Sequence, residues 1–152
     1  MPSYETLDTI ADSYTPLLAI VSLALILTPL FKTQWRLAGL RLLTVVFVLS
    51  IAYGLMFIDG LFNLWPSFGL YYSTHTAVAL VLVSFLATNK PRLSTLWFGS
   101  FVAYVLLMLY QGYHTVSDIV VTGVAVIVPA WLVLSTLYKR WPFADQLPSD
   151  KA

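Results

Sequence analysis

The sequence predicts an all-α integral membrane bundle of about five transmembrane helices, with an interfacial segment between spans two and three. Three observations lead there. Of the 152 residues, 59% are hydrophobic and only 10% charged, whereas a soluble domain carries about 25% charged residues to wet its surface. The mean hydropathy is +0.83, and the apolar residues gather into five stretches divided by short polar or aromatic breaks. All eight Lys and Arg residues fall on alternate connections between those stretches.

The same composition excludes several classes of function. A net charge of +1 with no basic stripe offers nothing that tracks a phosphate backbone, so no nucleic acid is expected. Without cysteine there is no disulfide framework, thiolate nucleophile or thiolate metal site. The length suits a single transmembrane domain, 1–152. The first dozen residues carry Glu5, Asp8 and Asp12 but no Lys or Arg. A cleavable signal peptide wants a positive start, so the first apolar stretch is expected to stay in the mature protein.

A spanning helix needs ~20 mostly apolar residues. Span one is expected over 14–31, led by a polar turn holding Asp12 and Tyr14, and span two over 40–58. Residues 59–72 then bring Trp65, Phe68, Tyr71 and Tyr72 without a single base. Trp and Tyr settle at the membrane–water interface, so this segment is expected in the headgroup layer. Span three is expected over 73–88, span four over 93–110 and span five over 117–138. The first and third are short and must borrow flanking residues, because bare loop does not face lipid. Residues 141–152, with two prolines and alternating charges, are expected as a loose cytoplasmic tail.

The sides of the membrane follow from the bases. Lys32, Arg36 and Arg41 lie between spans one and two, Lys90 and Arg92 between three and four, and Lys139, Arg140 and Lys151 after span five. Basic loops stay cytoplasmic. The expectation is a multi-pass protein of the plasma membrane, with its amino terminus outside and its carboxyl terminus inside.

Both histidines of the chain fall at outer ends of spans under that topology. His75 lies where the interfacial segment turns into span three, and His114 in the short turn before span five. Asp118, the lone carboxylate between residue 60 and the tail, joins them. Taken singly, each histidine suits an interfacial loop, and Asp118 suits a helix start, where a carboxylate meets free N–H groups and the helix dipole. The pair His114…Asp118 carries more. Four residues apart at a helix start, the two side chains face one way, ~5–6 Å apart at Cβ. A carboxylate there can hold one ring N–H and leave the other nitrogen to a substrate.

Ser73-x-His75 at one span start, followed by His114-x-x-x-Asp118 at the span after next, resembles the second and third signatures of the type-2 phosphatidic acid phosphatase superfamily. Phe68-Gly69 and Thr76 make it more similar to the sphingomyelin and inositol-phosphorylceramide synthase branch. The resemblance spans roughly residues 68–123. It implies a lipid phosphatase or phosphotransferase working at the outer leaflet on a lipid phosphate or phosphodiester. His114 would be the nucleophile, Asp118 its orienting carboxylate and His75 the proton donor to the leaving oxygen. Ser73, Thr76, Tyr72 and Thr115 would help bind substrate, and no cofactor or metal is implied. The chain departs from the pattern in its cations. The Lys/Arg-Pro first signature is absent, Met108 stands where an Arg precedes the nucleophile, and Tyr72 and Thr74 replace a Pro and a Gly.

Two rival readings use the same residues. Two histidines and one carboxylate also suit Fe(II) or zinc, and a divalent ion would replace the missing cations. Alternatively, the fold binds a lipid headgroup or a partner without chemistry. Gly54, Gly99, Ser100 and Gly123 would then let a second copy or a partner membrane protein approach closely.

Overall fold

The computed structural model describes residues 4–140; the expected loose tail, 141–152, lies outside them. The described chain is all-helical: α1 (Tyr4–Leu27), α2 (Trp35–Phe62), α3 (Thr74–Asn89), α4 (Ser94–Tyr110) and α5 (Val116–Arg140). Four of them, α1, α2, α4 and α5, are long and apolar enough to cross a membrane, while α3 is a shorter apolar helix. The outward faces carry Leu17, Ile20, Phe47, Phe57, Leu106, Val124 and Trp131, all exposed. A contiguous apolar surface of this kind suits lipid as the solvent. The protein is a helical membrane bundle.

Two span boundaries differ from those expected. The first helix begins at Tyr4, ten residues before position 14, and absorbs the polar turn. The Thr9 hydroxyl donates to the Glu5 carbonyl at 2.9 Å and Ser13 to the Thr9 carbonyl, so these side chains satisfy themselves against the helix rather than breaking it. The helix gives way to a 3₁₀ turn at Thr28–Lys32, where Pro29 lacks the N–H that a further turn requires. The second helix has 28 residues, not the 19 of 40–58. At 1.5 Å per residue it is about 42 Å long, so it overruns a hydrocarbon core of about 30 Å at both ends. Residues 59–62, expected in the interfacial segment, are its last turn. That turn stops at Asn63, left-handed at φ 51°, whose N–H reaches the Asp59 carbonyl.

The third helix is the centre of the molecule. Its 16 residues span about 24 Å, too little for a lipid-facing span. Every residue from Thr76 to Ala87 is buried, because α1, α2, α4 and α5 all pack on it. Irregular backbone at its ends is tolerated where protein covers it. Phe85, Leu82, Val48 and Val126 fill the core around it, with Ala52, Ala77 and Ala79 allowing close approach. The glycines contribute less than their number promises. A Cβ at Gly54 or Gly99 would meet nothing within 4 Å, and one at Gly123 would only touch Leu80 at 3.8 Å.

Charge is segregated along the bundle. Among the described residues, the carboxylates Glu5, Asp8, Asp12, Asp59 and Asp118 all lie in the end of the bundle where α1, α3 and α5 begin. Lys32, Arg36, Arg41, Lys90, Arg92 and Lys139 all lie toward the other end. Arg41, counted above among connection cations, is inside α2 with its side chain buried. Its Nε donates to the Asn89 side-chain oxygen at 2.9 Å and its Nη1 to the Leu25 carbonyl at 2.7 Å. Asn89 in turn donates to the Tyr138 hydroxyl at 2.6 Å. One relay thus ties α1, α2, α3 and α5 together.

Candidate functional site

The acidic end is organised by two helix starts. At α5, Thr115 and Asp118 form a reciprocal capping box: the Asp118 N–H donates to Thr115 Oγ1 at 3.2 Å, and the Thr115 N–H donates to Asp118 Oδ2 at 2.9 Å. The other carboxylate oxygen, Oδ1, accepts the Tyr71 N–H at 2.8 Å. Asp118 is buried, and it fastens the segment before α3 to the first turn of α5. At α3, Ser73 Oγ accepts the Thr76 N–H at 3.3 Å and pairs with Thr76 Oγ1 at 2.8 Å. The Ser73 N–H donates to Thr122 Oγ1 at 3.2 Å.

These contacts change the role expected for four residues. Ser73 and Thr76 are wholly buried, with their hydroxyls committed to the cap. Tyr72 donates its hydroxyl to the Ala52 carbonyl at 2.6 Å and meets Trp65 edge-on at 4.9 Å. Thr115 serves the capping box. All four thus hold the local backbone in place. The physical reason is that a helix start enclosed by protein must find acceptors for its free N–H groups, and Ser and Thr supply them.

The histidines are less committed. His114 occupies the turn between α4 and α5, which reverses through Gly112 at φ 74°. Its Nδ1 lies 3.9 Å from Asp118 Oδ2. That is within ion-pair range and beyond a hydrogen bond. Burial pushes the imidazole of His114 below its usual range; the Asp118 carboxylate opposes this and His75 reinforces it. The lowered proton affinity favours the neutral ring, with Nδ1 on the side of the carboxylate. His75 is exposed in the first turn of α3 and lines a cavity of about 20 Å³ with Ala11, Asp12, Tyr104, Met108 and Tyr113. That is room for about one water.

Sequence reasoning missed Asp12, Tyr104 and Tyr113 as companions of His75, because nothing in linear spacing joins residues 12, 75, 104 and 113. Met108, where the resembled pattern has a base, faces this same cavity. Around it, Asp8 Oδ1, Thr15 Oγ1 and both amide atoms of Gln111 are buried without a hydrogen-bond partner among the described residues. Asp8 and Thr15 lie one helical turn either side of Asp12, and Gln111 adjoins Met108 and Tyr113. Buried polar atoms left open in this way call for water or a ligand. A larger apolar groove of about 570 Å³ runs between α1 and α4 past Tyr14, Leu17, Ile20 and Leu107, and shares Tyr104 with the His75 cavity. Among the described residues, no group of three His, Asp or Glu side chains comes close enough to hold a metal ion. His75, His114 and Asp118 do not form the triad that a divalent ion would need.

Asp118→Ala should unfasten two backbone N–H groups at once, those of Tyr71 and Thr115. Leaving buried donors open costs about 1–3 kcal/mol each. Thermal unfolding in detergent should show a loss of about 2–4 kcal/mol, with Asp118→Asn, which keeps one acceptor, losing less. An unchanged melting temperature for Asp118→Ala would contradict this anchoring role. No protein-family model, curated protein or solved structure matches the chain, so its likeness to the phosphatase superfamily rests on the residues quoted above.

Proposed function

We propose that this protein is a membrane-embedded lipid phosphatase or phosphotransferase whose nucleophile is His114 and whose substrate enters from the outer leaflet. The observation that supports this reading is that His75 and His114, 39 positions apart in sequence, begin α3 and precede α5 at the same end of the bundle, near enough that His75 helps to lower the proton affinity of His114. His114 Nε2 attacks phosphorus, the bond to the leaving oxygen breaks, and His75 gives that oxygen its proton. Water, or an acceptor hydroxyl, then releases the phosphoryl group from the ring while His75 takes a proton back. Asp118 stabilises the ring as it gains positive charge.

The electrostatics favour one kind of substrate. The described residues of this end hold five carboxylates and no Lys or Arg. The starts of α3 and α5 contribute roughly half a positive charge each, and Asp118 already offsets one of them. A phosphate monoester dianion meets a poor field here. A phosphodiester whose headgroup carries an ammonium brings its own cation to Asp12 and the neighbouring tyrosines. The α1–α4 groove, beside Tyr104, suits an acyl chain.

The test is a panel of lipid phosphate monoesters and zwitterionic phosphodiesters given to the purified protein, with released phosphate and exchanged headgroup measured. Turnover of the zwitterionic diesters, insensitive to chelator and accompanied by an acid-labile phosphoenzyme, is the expected result. Metal-dependent turnover with no phosphoenzyme would overturn the histidine mechanism. A second reading, a lipid-binding protein without chemistry, draws on the capping roles of Asp118, Ser73 and Thr76; binding of the diesters with no turnover of any panel member would establish it instead.

The outer-leaflet assignment has its own test. Single cysteines at Ser67 and Ser117, both exposed at the acidic end, should react with an impermeant thiol reagent on intact cells. Cysteines at Thr33 and Thr95 should react after permeabilisation alone. The reverse pattern would put the histidines inside.

A further inference from the structure

The opposite end of the bundle holds a feature that the histidine chemistry does not use. Although a turn of five residues joins them, α4 and α5 pack on α3 and scarcely on each other. Between them lies a groove of about 640 Å³, within the usual range for a small-molecule site. Its floor is α3, at Leu80, Ser84 and Ala87, and its walls are Phe98 of α4 and Ile127 and Trp131 of α5. Toward the basic end the lining changes character, to Thr88, Ser135, Tyr138 and Lys139. From Ile127 to Lys139 the groove follows about 18 Å of helix, apolar first and then polar.

Charge gathers at the polar mouth. The hydrogen bond from Asn89 to Tyr138 draws the last turn of α3 against the last turn of α5. Lys90 follows Asn89 directly, and Arg92 comes two residues later; both are exposed, as is Lys139. Among the described residues no carboxylate lies toward this end of the bundle. A second transmembrane helix, about 10 Å across, would need a smooth row of small residues. Instead, the bulky and exposed Phe98 and Trp131 stand on opposite walls, which leaves a slot fit for a flexible chain.

From this gradient we infer that the α4–α5 groove binds one anionic phospholipid of the leaflet at the basic end, an acyl chain lying on α3 and the phosphate meeting Lys139, Lys90 and Arg92. Basic pockets between transmembrane helices recognise anionic headgroups in this way. The site lies at the far end from the histidines and stands whether or not they do chemistry.

The experiment uses the full-length protein, delipidated in neutral detergent and titrated with phosphatidylglycerol or phosphatidylcholine, with bound lipid counted by native mass spectrometry. One phosphatidylglycerol per chain, retained on the order of 100-fold better than phosphatidylcholine, is expected from three cations at roughly fivefold each. Lys90→Gln with Lys139→Gln, both on exposed side chains, should abolish most of that preference while phosphatidylcholine binding stays the same. Ile127→Trp should fill the apolar part of the groove and weaken both lipids. Soluble glycerol phosphate should not compete at millimolar concentration. Equal retention of the two lipids, a preference undiminished by the double lysine replacement, competition by glycerol phosphate, or a lipid-free dimer would each overturn the inference.

Discussion

Replacing His114 with alanine is expected to reduce turnover of the lipid diester by on the order of 10³-fold or more, the scale seen when a covalent nucleophile is removed. The phosphoenzyme should vanish with it. His75→Ala should also lose nearly all turnover on natural lipids, yet it should still accumulate phosphoenzyme from a substrate with an activated leaving group, because such a group departs without a proton. The pH profile supplies a second signature. The proposed mechanism has His114 attack in its neutral form, and burial holds its proton affinity below the usual histidine range. The acid limb of the rate should therefore fall at a lower pH than a solvated histidine would give, as the ring picks up its proton. Asp118→Asn removes the charge that opposes the downward shift, so the acid limb should move lower still. An acid limb that moves upward in Asp118→Asn would contradict the arrangement.

A large effect on stability is also expected at Arg41. In Arg41→Ala the Leu25 carbonyl and the Asn89 side-chain oxygen both lose this donor at a partly buried position. Hydrogen bonds from charged groups contribute about 1.5–3 kcal/mol, although partners found within the unfolded membrane state reduce such values. A loss of about 2–3 kcal/mol is therefore expected. Lysine should rescue little of it, since one ammonium does not reproduce the fork that holds two helices at separate points. Asn89→Ala should be strongly non-additive with Arg41→Ala, because each already breaks the same relay. Additive losses in a double-mutant cycle, followed by thermal unfolding in detergent, would show that the two residues act separately.

How far the sequence could be read depended on the range of the interaction. The alternation of bases needed knowledge only of chain order, and the bases of the described residues do gather toward one end of the bundle, although Arg36 and Arg41 lie within α2 and not on a connection. The shortness of the third apolar stretch was visible too, but its cause was not. Only the packed structure shows that four helices cover α3, so that it does not need to match the bilayer. The start of α1 was misplaced because the stretch holding Asp12 and Tyr14 looks like a polar turn in composition, whereas Thr9 and Ser13 bond back along the helix. At the site, the pairing of His114 with Asp118 was legible because it is local. The spacing Thr115-x-x-Asp118 is also the pattern of a capping box, and capping and substrate binding draw on the same hydroxyls and carboxylates. Asp12 and Tyr113 could not be found in this way, because tertiary packing alone brings them to His75.

The enclosure of α3 also bears on how the protein is made. Its residues leave the ribosome after α1 and α2 but before α4 and α5, so for a time two of its four neighbours do not exist. During that interval Leu80, Ser84 and Ala87 face lipid or the insertion machinery, on a helix too short to reach both interfaces without local thinning of the bilayer. Asn89 can find Arg41 at this stage, since α2 is already in place, whereas Tyr138 arrives last. The Arg41–Asn89 bond is thus available before α5 closes over α3, and in a released chain truncated before residue 116 α3 should be far more open to proteolysis in the Arg41→Ala form than in the unaltered one.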